Sequence, residues 1–382
     1  MSETLFILQA IDLCNLNCKY CYLPGRKNPA RMPFEILECA IQKIFDWQKK
    51  TGGPVSINWN AGEPLTAKID FYAEACAYIN KYNQDKVDVV QSIQTNGTLM
   101  TEAWGEFLSE NNFFVTVSVD GPAFIHDQSR VNWKGKSSHS LVQAGIGILR
   151  RYQKELHGIC VLTNTSLDHP DEIFDYFQEN GFASVGFNIE EKEGYNTYTS
   201  FEKNTATRDR SVERYTAFLR RISELSVQSK STLKIREIDT IRQKLTHLYH
   251  SEEKKPVHNQ QNIPLQIVSI GRTGNLYTFS PEMTGGDAIN PDAYVVGNIR
   301  DISSFSDILK NSNFIKLNQE IQTGVEMCRE TCEYFAICGG GAPMNKISEN
   351  GTFASTETTY CVLSKKAVAD LFMHQWATHG LR

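Results

Sequence analysis

The sequence predicts an α/β protein: a partial (β/α)6 barrel, then a smaller cysteine-bearing domain with a C-terminal helix. Three observations carry this. Residues 5 to 191 alternate short β-rich runs with amphipathic stretches at the spacing of a parallel sheet. Six such units leave the barrel open on one side, wide enough for a large substrate. The ten cysteines fall into one group just after the first strand, one group near the C-terminus, and three isolated residues.

Taken in order, strands are expected at 5–11, 55–59, 89–95, 113–119, 158–163 and 184–189. Helices are expected between them at 33–49, 69–82, 101–111, 138–152 and 170–180. Pro33 and Pro170 suit first-turn positions, while Thr101 and Ser138 suit N-caps. A polar, aperiodic loop covers 192–210, and helices follow at 208–226 and 235–249. Residues 251–262 form a charged connector containing Pro and His, the expected domain boundary. His247, His250 and His258 lack convergent spacing and read as exposed linker residues. The chain then divides into a barrel with its trailing helix (1–232), a bridging helix and linker (233–263) and a smaller domain (264–382). That last domain opens with a β-hairpin, 265–270 and 275–279, and closes with a helix, 363–376.

Bulk properties exclude several function classes. A net charge of −5 without long basic runs argues against a nucleic-acid partner. The N-terminus has no secretory pattern, and no apolar run is long enough for a bilayer. A cytoplasmic, membrane-free protein is expected, in which ten cysteines speak for metal or redox chemistry rather than disulfides. Cys39, Cys76 and Cys160 sit singly in apolar segments and read as core residues.

The first group is Cys14-Asn-Leu-Asn-Cys18-Lys-Tyr-Cys21. Three thiols without a fourth nearby suit a cubane iron–sulfur cluster with one open iron, free to chelate an amine and a carboxylate. Structural zinc is the alternative, but it prefers four closed ligands. Tyr20 stands where an adenine would lie against the loop.

At these residues the chain resembles the radical S-adenosylmethionine (radical SAM) superfamily. The resemblance implies that the open iron binds SAM, and that one electron then releases a 5′-deoxyadenosyl radical, which takes a hydrogen atom from substrate. Asn60-Ala61-Gly62-Glu63-Pro64 is similar to the family's Gly-Gly-Glu-Pro, with Ala61 replacing the first glycine. Gly62 and Glu63 are thereby implied at SAM's amino group. Asn96 follows the third strand in Gln94-Thr95-Asn96-Gly97, which also reads as a plain turn. Ser118, Asp120 and Arg130 follow the fourth, and the resemblance to peptide-modifying members implies that Ser118 and Arg130 meet SAM's ribose and carboxylate. The sixth strand ends in Glu190 and Glu191, which read equally as substrate ligands or as rim charges.

The second group, Cys328, Cys332, Cys338 and Cys361 around Gly339-Gly340-Gly341, allows a four-thiolate zinc site. Together with the first group it resembles the SPASM extension of radical SAM enzymes. Two ligand positions of the full seven-cysteine pattern hold Ala342 and Phe279 instead. The resemblance therefore implies one auxiliary [4Fe–4S] cluster, and two clusters in all.

Over nearly the whole chain the sequence is similar to cyclophane-forming SPASM peptide maturases of the GrrM/OscB type. The shared stretches are Tyr22-Leu-Pro24, 94–98, 119–122, 187–191 and 328–343. That implies a carbon–carbon bond between an aromatic ring and the β-carbon two residues later in a ribosomally made precursor peptide. It also implies an external electron donor such as flavodoxin or ferredoxin. A carboxylate would take the ring proton: Glu282 first, Glu190 or Glu191 second. Anaerobic sulfatase maturation is a rival, disfavoured by Phe279-Ser280 where those enzymes carry a cysteine and a catalytic aspartate. Thioether formation to a peptide cysteine, α-carbon epimerisation and, among non-enzymes, an iron–sulfur electron carrier are the others. No added N-terminal peptide-binding domain is evident, so the leader would use the barrel rim, the 192–210 loop or the second domain.

Overall fold

A computed structural model describes residues 4–201, 205–250, 257–286, 290 and 292–379. Among the described residues nine strands, β1 (Leu5–Leu8), β2 (Val55–Trp59), β3 (Val89–Thr95), β4 (Phe113–Ser118), β5 (His157–Leu162), β6 (Ser184–Ile189), β7 (Lys234–Ile235), β8 (Ile267–Ile270) and β9 (Leu276–Thr278), form one sheet. Their order is β7-β6-β5-β4-β3-β2-β1-β8-β9. Every neighbouring pair is parallel except β8 with β9. Six central strands in sequence order, each returning through a helix, give the expected partial barrel.

The crossover helices are α1 (Phe34–Thr51), α2 (Ile69–Tyr82), α3 (Glu102–Glu110), α4 (Ala123–Ser129), α5 (His139–Tyr152), α6 (Pro170–Glu179), α7 (Thr205–Gln228) and α8 (Arg236–His250). After the hairpin come α9 (Ser312–Thr331), α10 (Phe335–Cys338), α11 (Pro343–Asn350), α12 (Thr359–Cys361), a π-helical turn (Val362–Ala367) and α13 (Val368–His379). Apolar stripes on these helices meet the sheet. Trp59, Phe71 and Tyr72 are fully buried, and Trp59 meets Tyr72 edge-on at 5.2 Å. Among the described residues no helix is long and apolar enough to cross a membrane.

Local chemistry explains the departures from expectation. β1 stops at Leu8 rather than residue 11, because the carbonyl of Ala10 is taken by the Met32 N–H at 2.8 Å. Thr101 does cap its helix, accepting the Trp104 N–H at 3.3 Å. Ser138 does not. Its hydroxyl donates to the Arg130 carbonyl at 2.6 Å and pairs with His126 at 3.0 Å. The predicted hairpin forms, but as the edge of the barrel sheet: Leu5 pairs with Ile267 on one side of β1 as it pairs with Ser56 on the other. Of the expected connector 251–262, residues 251–256 lie outside the described residues. Beyond them the Val257 N–H donates to the Ala336 carbonyl at 2.8 Å, and His258 pairs with Gln266.

Candidate active site

The β1–α1 connection carries the first three thiols and is held from outside by the loop after α4. Asn17 N–H donates to the Val131 carbonyl at 2.7 Å, Lys19 N–H to Ser129 at 3.0 Å, and the Trp133 indole to the Cys14 carbonyl at 2.8 Å. Cys14, Cys18 and Cys21 line one cavity of about 200 Å³, together with Tyr20, Gly62, Glu63, Asn96, Ser118 and Arg130. Strand C-terminal ends therefore converge there, as barrel sites require.

Each neighbour has a defined place. Glu63 is buried and fully engaged: its carboxylate accepts Leu65 N–H at 3.0 Å, Thr95 hydroxyl at 2.6 Å and Asn96 N–H at 2.7 Å. It ties the end of β2 to the end of β3. Asn96 reaches the loop, donating to Asn15 at 2.8 Å with Cys14 Sγ at 3.9 Å. Asp120 takes the Tyr20 hydroxyl at 2.5 Å, the Arg130 Nε at 3.0 Å and the Val161 N–H at 2.9 Å. The guanidinium lies 5.3 Å from the Tyr20 ring centroid. Ala61 and Gly62 both adopt left-handed backbone, φ 83° and 60°. At Gly62 a Cβ would stand 2.7–2.8 Å from the carbonyls of Ile11, Asp12 and Leu13, so only glycine lets β2's end lie on the cysteine loop.

A second cavity of about 270 Å³ opens beside the first, lined by Lys244, Ala342, Asn345 and Lys365 among others. Asn188, Ile189, Glu191, Glu193 and Glu282 border both. Burial raises the Glu191 carboxyl to about 8, although Asn345 donates to it at 2.6 Å. Glu193 is pushed well up by burial and by Glu282 and Glu191, and Glu282 is raised by burial. Three neighbouring buried carboxylates resist joint ionisation, so each binds a proton more readily than a free carboxyl does. Glu190 is not among them. It turns aside to accept the Ser200 N–H at 2.7 Å and lines neither cavity. Glu193 was invisible in sequence, lost in a polar aperiodic run. Its one cue was an acid beside Gly194, whose missing side chain (φ 54°) lets the turn pack on the Tyr22 carbonyl.

The second thiol group also assembles. Cys328, Cys332, Cys338 and Cys361 line a third cavity of about 190 Å³. Gly341 N–H donates to Cys338 Sγ at 3.2 Å, and buried Lys346 places Nζ 3.5 Å from Cys328 Sγ and 2.8 Å from the Gly324 carbonyl. Phe279, at an absent ligand position, is fully buried and stacks parallel on Phe314 at 6.0 Å. Ala342, at the other, borders the second cavity.

The donors fit iron–sulfur groups chemically. Burial pushes the Cys14 thiol up to about 12, Cys18 to about 11 and Cys361 to about 12, so thiolates there need a cationic centre beside them. Among the described residues no three His, Cys, Asp or Glu side chains close on the position of a single ion. The three thiols of the first group line one cavity and the four of the second line another.

Residues 8–140 match the radical SAM superfamily. The chain is 38% identical to the uncharacterized protein sll1766 of Synechocystis sp. over 371 residues, 96% of this chain and 90% of that one. It is 28% identical to a cysteine-type anaerobic sulfatase-maturating enzyme of Clostridium perfringens over 88% of each chain. In fold it is similar to the AdoMet-bound anSMEcpe structure (TM-score 0.77, 24% identity, 99% of both chains). It is also similar to Streptococcus suis SuiB bound to its precursor peptide SuiA (TM-score 0.61, 16% identity, 94% of this chain and 76% of that one).

Proposed function

The chain belongs to the radical SAM superfamily, and from that premise we propose that it cross-links a ribosomally made precursor peptide, joining an aromatic ring carbon to the β-carbon two residues later. It is an enzyme whose cofactors are a [4Fe–4S] cluster and SAM. When bound, they supply a 5′-deoxyadenosyl radical that removes a hydrogen atom from substrate.

Cys14, Cys18 and Cys21 would hold that cluster, with SAM between Tyr20, Asn96, Ser118 and Arg130. Glu63 and Asp120 set this wall from behind, since both carboxylates are spent on protein donors. Cys328, Cys332, Cys338 and Cys361 would hold one auxiliary [4Fe–4S] cluster, whose chemistry is one-electron exchange. In this reading 1–232 carries the radical chemistry, 233–263 bridges, and 264–382 carries the auxiliary group. The protein works in the cytoplasm with a soluble one-electron donor.

The carrying observation is the row Glu191, Glu193 and Glu282 on the border between the two cavities. A ring that has gained a carbon bond regains aromaticity by losing one electron and one proton, and a carboxylate with a raised pKa beside the ring is suited to take the proton. The peptide then loses two hydrogens per link. Formylglycine formation is the second reading, favoured by the likeness to the C. perfringens enzyme. Phe279 and Ser280 at the cysteine and aspartate positions count against it. Co-expression with a precursor peptide encoded beside the gene, followed by mass spectrometry, tests the proposal. A loss of two hydrogens localised to an aromatic residue supports it, and an aldehyde or a thioether overturns it.

A further inference from the structure

We propose that the surface over the first thiol loop is the docking face for an acidic one-electron carrier protein. This rests on the radical SAM reading and deepens it by naming the partner's chemistry and its point of contact.

The sequence isolates the surface. Acids outnumber bases 44 to 39 in the chain, yet none occurs between Asp12 and Glu35 or between Asp127 and Glu155. The fold joins these two acid-free stretches. Leu16 bridges to Asn132, and the amides of Asn17 and Lys19 donate to the carbonyls of Val131 and Ser129. Lys19, Lys27, Lys134 and Lys136 are exposed on the joined loops. Two of the four acids that bound these stretches are engaged. Asp12 pairs with Arg272 at 2.8 Å, and Asp127 accepts the amides of Ser138 and His139 at 2.9 and 3.0 Å. The face keeps its positive charge.

At its centre is Trp133, 39% exposed, with Lys27 Nζ 4.5 Å and the Arg26 guanidinium carbon 5.2 Å from the ring centroid. The ring face holds the two cations in place, and tryptophan and arginine are the residue types enriched where protein interfaces carry their binding energy. Its indole N–H donates to the Cys14 carbonyl. One ring and one hydrogen bond thus separate the outer surface from a cysteine that would hold the cluster. In a chain of net charge −5, a local basic face over the thiol loop would orient an acidic partner and raise its association rate. With an iron–sulfur group held by Cys14, Cys18 and Cys21, the one electron that the reduced carrier loses would pass to that group.

The test uses anaerobic holoenzyme, reduced flavodoxin as the acidic probe and dithionite as a small reductant. The triple variant K27E/K134E/K136E alters only exposed lysines. Its second-order reduction by flavodoxin at low salt should be about tenfold or more slower than wild type and should lose its fall with ionic strength. Reduction by dithionite, and the 5′-deoxyadenosine it drives, should be unchanged. The neutral K27Q/K134Q/K136Q variant should lie between. Wild-type flavodoxin kinetics in the charge-reversed protein would overturn the proposal. So would an unchanged flavodoxin rate with a raised KM for precursor peptide, which would make the face a leader-peptide site. Failure of the wild type to release 5′-deoxyadenosine with dithionite would strike the radical reading itself, a different result.

Discussion

Asp120 and Arg130 form a buried ion pair, Nε to Oδ1 at 3.0 Å, the two side chains 3% and 7% exposed. The pair joins the end of β4 to the loop that clasps the cysteines, because Asp120 also takes the Tyr20 hydroxyl and Arg130 is followed at once by the Val131 carbonyl that holds Asn17. Charge neutrality inside the wall thus sets the position of the thiol loop.

Asp120→Asn should therefore cost stability, on the order of 3 kcal/mol, by leaving a buried guanidinium without its counter-charge. Chemical denaturation of the metal-free protein measures this. Tyr20→Phe, which removes one hydrogen bond, should cost about 1 kcal/mol. Equal effects would contradict the account.

Glu191→Gln should flatten the pH dependence of folding. Its carboxyl is raised from 4.5 to about 8, mainly by burial, so the native state binds its proton more tightly than the unfolded chain does. This group's contribution is complete below about pH 4.5 and is lost as pH rises to about 8. The metal-free wild type should lose denaturation midpoint across that interval relative to the variant, in which Asn345 keeps an acceptor.

Glu282→Gln, Glu191→Gln and Glu193→Gln should leave SAM cleavage intact and lower cross-linked product, by roughly 10²-fold for the one that takes the proton. Glu190→Gln should leave product formation unchanged, since that carboxylate only holds the Ser200 amide. Parallel assays of 5′-deoxyadenosine and of peptide mass separate the two effects.

Ala61→Gly should relieve left-handed backbone at φ 83°, a gain of up to about 1 kcal/mol set against the greater freedom of an unfolded glycine. Gly62→Ala should do the opposite. Its methyl would strike the carbonyls of Ile11, Asp12 and Leu13, so iron content after anaerobic reconstitution and SAM affinity should both fall. Normal iron loading of Gly62→Ala would contradict the packing.

Much of this was legible from short-range patterns. Alternation of strand and helix placed β2 to β6 within a residue or two, and cysteine spacing marked both thiol groups. Contacts set by distant residues were not legible. Ser138 looked like a cap until Arg130 and His126 claimed its hydroxyl. Adjacent acids at the end of β6 could not be told apart, because which one faces the cavity depends on the Ser200 amide. Glu193 entered the site through a turn that no periodicity marks. The hairpin was found, but its pairing with β1 across some 260 residues left no local trace.

That pairing makes the C-terminal third an unsuitable unit for exchange. The amides of Leu5 and Gln9 donate to the carbonyls of Gln266 and Ile270 at 2.8 and 3.0 Å. A protein cut after residue 263 would bare that side of the strand leading into the thiol loop, offering an adhesive border along which copies stack. Shortened versions should precipitate before they could report on radical chemistry, and grafts between relatives should carry the first and the eighth strand together.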